Sequence, residues 1–261
     1  MTLKNITIVK IGGNVVDDPE ALRRFAAGFA QMPGRRILVH GGGKEATRMS
    51  QALGLTTTMI DGRRVTDAST LDIVTMVYSG LVNKRIVALL QSLDCNAAGL
   101  CGADAGLVKA TRRPPRDGVD FGFVGDLDPN GVDILTLSWL LESGITPVFS
   151  AIMSDGKGQL LNCNADSVAS CLAKACARVA ETHLVYCFEM PGVMRDIDDP
   201  KSVISSITPE SYARLRAEGV VSKGMIPKID GSIAAVEAGV RTVTIKHASD
   251  LLKPSGTIIT L

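Results

Sequence analysis

Aromatic residues are scarce. They make up 4% of the 261-residue chain, with one tryptophan, too few to suggest base-stacking platforms for nucleic acid. Charge of one sign is also missing: 28 Lys and Arg against 27 Asp and Glu leave a net charge of +1. That supplies no field for a phosphate backbone or an anionic membrane. No apolar run approaches the ~18 residues that span a bilayer, and residues 1–10 hold no apolar core of a signal peptide. The six cysteines, Cys95, Cys101, Cys163, Cys171, Cys176 and Cys187, form no C-x-x-C pair. They read as reduced, buried thiols rather than a disulfide framework or a zinc site.

Several signature loops are absent. Gly43-Lys44 is followed by Glu45, so the P-loop hydroxyl for Mg²⁺ is missing. No G-x-G-x-x-G follows a strand, which removes the usual dinucleotide fingerprint. H-E-x-x-H and G-x-S-x-G are absent, and His40, His183 and His247 are far apart in sequence. His40, at a strand end, reads as a hydrogen-bonded structural residue.

What is present is 46% hydrophobic residues, ample for a core, in alternating strand and helix patterns. The alternation predicts a three-layer αβα sandwich around a mainly parallel sheet. A strand at 37–39 runs into Gly41-Gly42-Gly43, and Ala46, Met49 and Leu53 then fall on one helical face. A strand at 6–9 likewise runs into Lys10-Ile11-Gly12-Gly13. Glycine turns between strand and helix offer bare N–H groups and the positive end of a helix to an anion. Two such turns suggest one phosphate site built from two strand ends.

Further along, Asp18-Pro19 starts a helix and Asp67 caps a long one that Gly80 interrupts. Strands at 107–111 and 119–124 form a hairpin whose long tip could act as a lid. Asp133 opens a helix closed by Gly144. A strand at 146–152 leads into a hairpin, a helix at 165–177 and a strand at 184–187. Residues 222–228 read as a loop, with a helix at 232–238 and last strands at 240–245 and 257–260. The chain reads as one domain with two lobes, about 1–150 and about 151–261, dividing within residues 130–154.

Three further groups could carry chemistry. Lys10 at a strand end beside two glycines suits a transferring phosphoryl group, which needs positioning and neutralised charge. Asn162-x-Asn164-Ala-Asp166 has more polar side chains than a helix cap requires. Lys223-Gly224-Met225-Ile226-Pro227-Lys228 ends in a lysine that is either a site residue or a surface one.

In order, Lys10-x-Gly12-Gly13, His40-Gly41-Gly42-Gly43, Gly62-Arg63-Arg64-Val65-Thr66, Asn162-x-Asn164-Ala-Asp166 and Gly224-Met225-Ile226-Pro227-Lys228 resemble the amino-acid kinase family. Within it the G-x-R-V-T and N-x-N-A-D elements are similar to the acetylglutamate kinase branch. The resemblance runs from Lys10 to about Gly256-Thr257. It implies that Lys10 and Lys228 stabilise the phosphoryl group moving from ATP to a γ-carboxylate, and that Asp166 holds both lysines. Gly12, Gly13, Gly42 and Gly43 would donate N–H bonds, Arg64 would clamp the substrate α-carboxylate, and Asn162 and Asn164 would bind substrate. Glu189, Gly192, Lys223, Gly224 and Met225 would meet the nucleotide. Phe188 stands where the family carries a hydroxyl, and Glu189 where it carries Asp.

The activity so implied is phosphorylation of N-acetyl-L-glutamate by ATP with Mg²⁺ as co-substrate, with no tightly bound cofactor and no metal site, in arginine biosynthesis. The same reaction on another N-acyl-glutamate such as N-succinyl-L-glutamate is the alternative within this class. A non-catalytic ligand-binding member of the family is the alternative outside it. Aspartokinase would bring C-terminal regulatory domains. A cytoplasmic homodimer that arginine does not inhibit is expected, since Lys10 lies too near Met1 for the N-terminal helix of arginine-inhibited relatives.

Overall fold

The computed structural model describes residues 3–60, 62–221 and 225–261. Strand β1 (Asn5–Ile11) is buried from Ile8 to Ile11, as expected of a parallel strand covered on both faces. A short helix α1 (Gly13–Asp17) follows at once. Asp18 then caps α2 (Pro19–Gln31), accepting from the N–H groups of Glu20 and Ala21 with Pro19 in the first turn. α2 buries Phe25, Ala26 and Phe29. Next come β2 (Arg35–His40) and α3 (Gly43–Ala52), then a small hairpin, β3 (Met59–Ile60) and β4 (Arg63–Arg64). In α3 Ala46 is buried, but Leu53 lies just past its end and is 58% exposed.

Asp67 caps α4 (Ala68–Thr75), accepting from the Thr70 N–H. Gly80 does not break this helix. A π-helical segment, Met76–Val82, carries it into α5 (Asn83–Gln91). The joined element is 24 residues long and holds an 18-residue window of mean hydropathy 1.4, long and apolar enough to cross a bilayer by those measures. The sequence reading missed that run because charged residues punctuate it. Here it is a core helix, with Leu71, Val74, Val82, Ile86 and Leu90 buried.

Strand β5 (Ala97–Leu100) precedes β6 (Val108–Arg112) and β7 (Gly125–Val132), which pair antiparallel. The expected strand at 119–124 is displaced into β7. Residues 121–123 are instead tied across to other elements: Thr66 N–H donates to the Phe121 carbonyl, Phe123 N–H to that of Thr66, and Asn162 N–H to that of Phe123. The hairpin's base is therefore anchored, and only residues beyond it form a tip. After α6 (Ile134–Glu142), the expected strand at 146–152 splits into β8 (Thr146–Phe149) and β9 (Ile152–Ser154), which belong to different sheets. β10 (Leu160–Asn162), α7 (Ala165–Cys176) and β11 (Glu181–Phe188) follow, then β12 (Ser206–Ile207) and α8 (Pro209–Ala217). α9 (Ile226–Glu237) starts six residues before the expected position 232, because Pro227 sits in its first turn, where its fixed φ favours a helix start. β13 (Thr242–His247) and β14 (Thr257–Ile259) close the chain.

The main sheet has the order β12-β14-β13-β11-β1-β2-β8-β5. β13 and β14 pair antiparallel; the other neighbours in it are parallel. A second sheet has the order β10-β9-β6-β7. Helices cover both faces of the main sheet in a three-layer αβα sandwich. Register aligns Lys10 with Tyr186 on one side and Val39 on the other, and Ile11 with Cys187 and His40. The carboxyl ends of β11, β1 and β2 thus open side by side, where parallel sheets bind ligands.

Candidate active site

Lys10 lies near the end of β1 and is only 8% exposed. Its Nζ is 2.7 Å from Asp166 Oδ1, so the charge is compensated where an unpaired one would be costly. Asp166 stands in the first turn of α7. Asn164 is the N-cap, its side chain accepting from the N–H groups of Asp166 and Ser167. Asn164 therefore fixes the helix start that presents Asp166.

Lys228 lies in the first turn of α9. Among the described residues it makes no direct ion pair with Asp166; it feels that carboxylate through space. Burial lowers the pKa of Lys228, Asp166 opposes that effect, Lys10 adds to it, and Glu189 also opposes it. Its Nζ sits 3.6 Å from the ring centre of Phe188. Lys10 Nζ is 5.0 Å from the same centre. Tyr186 stacks on Phe188 with centroids 6.2 Å apart, and the Tyr186 hydroxyl donates to the Asp166 carbonyl at 3.2 Å. Residues 186 and 188 share a face of β11 because side chains alternate along a strand.

The two glycine turns differ. Gly12 donates its N–H to the Cys187 carbonyl at 2.9 Å. In this geometry that donor is occupied, and Gly12 serves the site by its small size: a Cβ there would lie 3.4 Å from Phe188 Cδ1. Gly13 begins α1, whose amino end carries no side-chain cap. In the second turn, Gly42 leads into α3, which Gly43 begins, again with no side-chain cap. Uncapped N–H groups at a helix start can take an anion. A Cβ on Gly42 would lie 2.9 Å from Tyr78 Cδ1, so only glycine fits beneath that ring.

His40 supports this second turn from below. Its Nδ1 is 2.7 Å from the Gly41 carbonyl, which can only accept, so Nδ1 carries the proton. Nε2 then accepts from Asn83 Nδ2 at 3.0 Å. Full burial drives the His40 pKa down from 6.5 to about 4, and the imidazole is neutral.

Arg64, 8% exposed, is held in place by its neighbours. It donates to the Gly43 carbonyl at 2.9 Å, to Thr47 Oγ1 at 2.8 Å and to Thr57 Oγ1 at 3.1 Å. A guanidinium has five N–H donors, so this anchoring leaves donors over. Asn162, at the end of β10 and buried, donates through Nδ2 to Thr66 Oγ1 at 3.0 Å. Arg64 thus touches the second glycine turn at Gly43, and Asn162 is tied to Thr66.

Of the residues expected to meet the nucleotide, Glu189 is exposed just after β11, and Met225 is half-buried at the start of α9. Gly192 is buried in packing: a Cβ there would lie 2.8 Å from Thr257 Oγ1. Lys223 and Gly224 lie outside the described residues. Sequence reasoning missed Tyr78, Tyr186 and Thr47 and treated Phe188 only as a departure. Tyr186 had a legible signal, being two residues before Phe188 on a strand. Tyr78 had none, because its aim depends on the π-helical segment.

Residues 5–247 match the amino acid kinase family. Acetylglutamate kinase from Cytophaga hutchinsonii is 52% identical over 96% of this chain and 94% of that protein. The enzyme of the same name from Methanopyrus kandleri is 40% identical over 97% of this chain and 99% of that protein. Among solved structures, a protein from Streptococcus mutans UA159 aligns with a TM-score of 0.76 and 26% identity over 98% of each chain. N-acetylglutamate synthase from Neisseria gonorrhoeae, complexed with coenzyme A and N-acetyl-glutamate, aligns with a TM-score of 0.81. At 22% identity the likeness to that synthase is one of fold, and this chain spans 60% of its length. With nearly its whole length matched, the chain belongs to the amino acid kinase family.

Proposed function

We propose that the protein is an ATP-dependent kinase acting on N-acetyl-L-glutamate. It transfers the γ-phosphoryl group to the substrate's γ-carboxylate, giving ADP and N-acetyl-L-glutamyl 5-phosphate, the second step of arginine biosynthesis. The names of the full-length relatives support the substrate. The observation that carries the chemistry is the Lys10–Asp166 pair at 2.7 Å, with Lys228 over the same Phe188 ring, between two glycine turns at the carboxyl ends of β1 and β2.

A carboxylate oxygen of the substrate attacks the γ-phosphorus, the bond to the β–γ bridging oxygen breaks, and ADP leaves. No general base is required, because a γ-carboxylate (reference pKa about 4.3) is already ionised at neutral pH. Negative charge spreads over the oxygens of the transferring group, and the ammonium groups of Lys10 and Lys228 neutralise it. Asp166 keeps the two cations from repelling each other apart. Gly13, Gly42 and Gly43 offer N–H groups on the acceptor side, and Gly12 keeps the approach open. Arg64 takes the α-carboxylate with its remaining donors, and Asn162 takes the amide end. Asn164 serves through the cap that orients Asp166.

Glu189, Gly192 and Met225 border the nucleotide. Mg²⁺ would enter with ATP as part of the co-substrate and would add to charge neutralisation; among the described residues no group of three or more His, Cys, Asp or Glu side chains could hold a metal ion. The acceptor groups come from residues before about 150 and the nucleotide groups from residues after it, except that Asn162 reaches back. The six free thiols fit a reducing cytoplasm, and a homodimer is the expected assembly. The test is ADP release coupled to a panel of N-acyl-glutamates, with hydroxylamine trapping of the acyl phosphate. Turnover of N-acetyl-L-glutamate is expected; turnover of N-succinyl-L-glutamate alone would overturn the acetyl assignment.

A further inference from the structure

Phe188 is the last residue of β11 and lies under both lysines. We propose that Phe188 is a positioning residue whose ring face is a shared cation–π floor, holding Lys10 and Lys228 in the arrangement that meets the transferring phosphoryl group. The inference rests on the roles given above to the two lysines.

Cations within about 6 Å of an aromatic centroid are drawn to the ring face. Lys228 at 3.6 Å and Lys10 at 5.0 Å both meet that condition on one ring. The ring is itself fixed: Tyr186 stacks beside it, and Gly12 is close enough that a Cβ would sit 3.4 Å from its Cδ1. Asp166 directly pairs with Lys10, while Lys228 has no direct carboxylate partner among the described residues and feels Asp166 and the exposed Glu189 only through space.

A second carboxylate in direct contact could balance Lys228 more fully than the exposed Glu189 does, but it would repel the incoming phosphates. A hydroxyl would accept one N–H and remove it from the reaction. The ring does neither. It attracts a cation without net charge, and it binds without a directional acceptor, so the ring itself takes none of a lysine's three N–H groups from the phosphoryl oxygens. Phenylalanine at this position therefore acts as an uncharged counter-group.

The decisive experiment introduces fluorinated phenylalanines at position 188, with zero to three ring fluorines. Ring size changes little while the attraction of the face for a cation weakens stepwise. In full-length enzyme, kcat is expected to fall progressively, about tenfold across the series, with KM for both substrates nearly unchanged. Phe188→Tyr and Phe188→Trp should stay close to the parent, and Phe188→Leu should fall further. A flat kcat across the series, or parental kcat in Phe188→Leu, would overturn the proposal. If Phe188→Leu does not fold, the near-isosteric series still decides. Lys10→Met and Lys228→Met are measured alongside. Parental turnover in those variants would remove the roles of the lysines; inactive lysine variants with a flat fluorine series would remove the role of Phe188 alone.

Discussion

The two glycine turns look like copies in sequence and present different chemistry in the fold. Lys10 and His40 each stand two residues before a Gly-Gly pair at the end of a buried strand. On β1 that position carries a charged lysine, compensated by a carboxylate from α7 and an aromatic ring from β11. On β2 it carries a neutral imidazole whose two nitrogens are both engaged in holding the turn. The first turn delivers charge and uses its leading N–H to extend the sheet to the Cys187 carbonyl. The second delivers backbone donors and is braced by Tyr78, Asn83 and Arg64. Similar backbone patterns therefore present different groups because of their neighbours, which come from distant parts of the chain.

The largest test of this division is Lys10→Met. Turnover should fall by roughly a thousandfold, as for removal of a major transition-state charge, while KM for N-acetyl-L-glutamate stays near its parental value. A large rise in that KM with kcat preserved would mean that the first turn binds the acceptor instead. His40 should give the next effect, and only in stability. Its folded pKa of about 4 lies below the unfolded 6.5, so the unfolded chain binds the extra proton between those values. Stability should be unaffected above pH 6.5 and fall as pH drops toward 4, by about 3 kcal/mol in total. Denaturation midpoints against pH would check this, and His40→Gln should flatten that part of the profile.

Gly42→Ala comes third. Its methyl would meet Tyr78, and overpacking of this kind costs about 1–3 kcal/mol. KM for the acceptor should rise while ATP binding is unchanged, and Tyr78→Ala in the same chain should restore part of the loss. Equal weakening of ATP binding would break the assignment of this turn to the acceptor. The smallest effect is on the alkaline side. Lys228 must be protonated to act, and burial holds its pKa below the usual 10.5. Activity should decline with rising pH earlier than for an ordinary lysine, and Lys228→Arg should move that limb upward in whatever activity remains.

Local signals carried much of the molecule. The strands at 6–9 and 37–39, the caps at Asp18, Asp67 and Asn164, and the closing glycine at 144 are set by residues within a few positions of one another. These are short-range effects, and sequence displays them directly. The misses involve partners far along the chain. Gly12 looked like a free donor because nothing nearby foretells the Cys187 carbonyl. Residues 119–124 alternate like a strand but are held by Thr66 and Asn162. Phe188 read as the loss of a hydroxyl, since the two ammonium groups above it lie 178 and 40 residues away in sequence. The start of α9 falls earlier than expected because residues 222–228 read as a loop, whereas Pro227 is a first-turn residue of the helix.

The π-helical segment has one more consequence. Within it the Asn83 N–H reaches the carbonyl of Tyr78, five residues back. In an ordinary α-helix residues five apart point about 140° away from each other. The wider turn brings them to one side, so that Tyr78 covers Gly42 while Asn83 holds His40. One surplus residue thus works as a spacer that lets a single helix grip the same turn twice. Deleting any one residue between 76 and 82 would restore regular winding and cost the turn one of its two grips, with the rest of the helix still long enough to form.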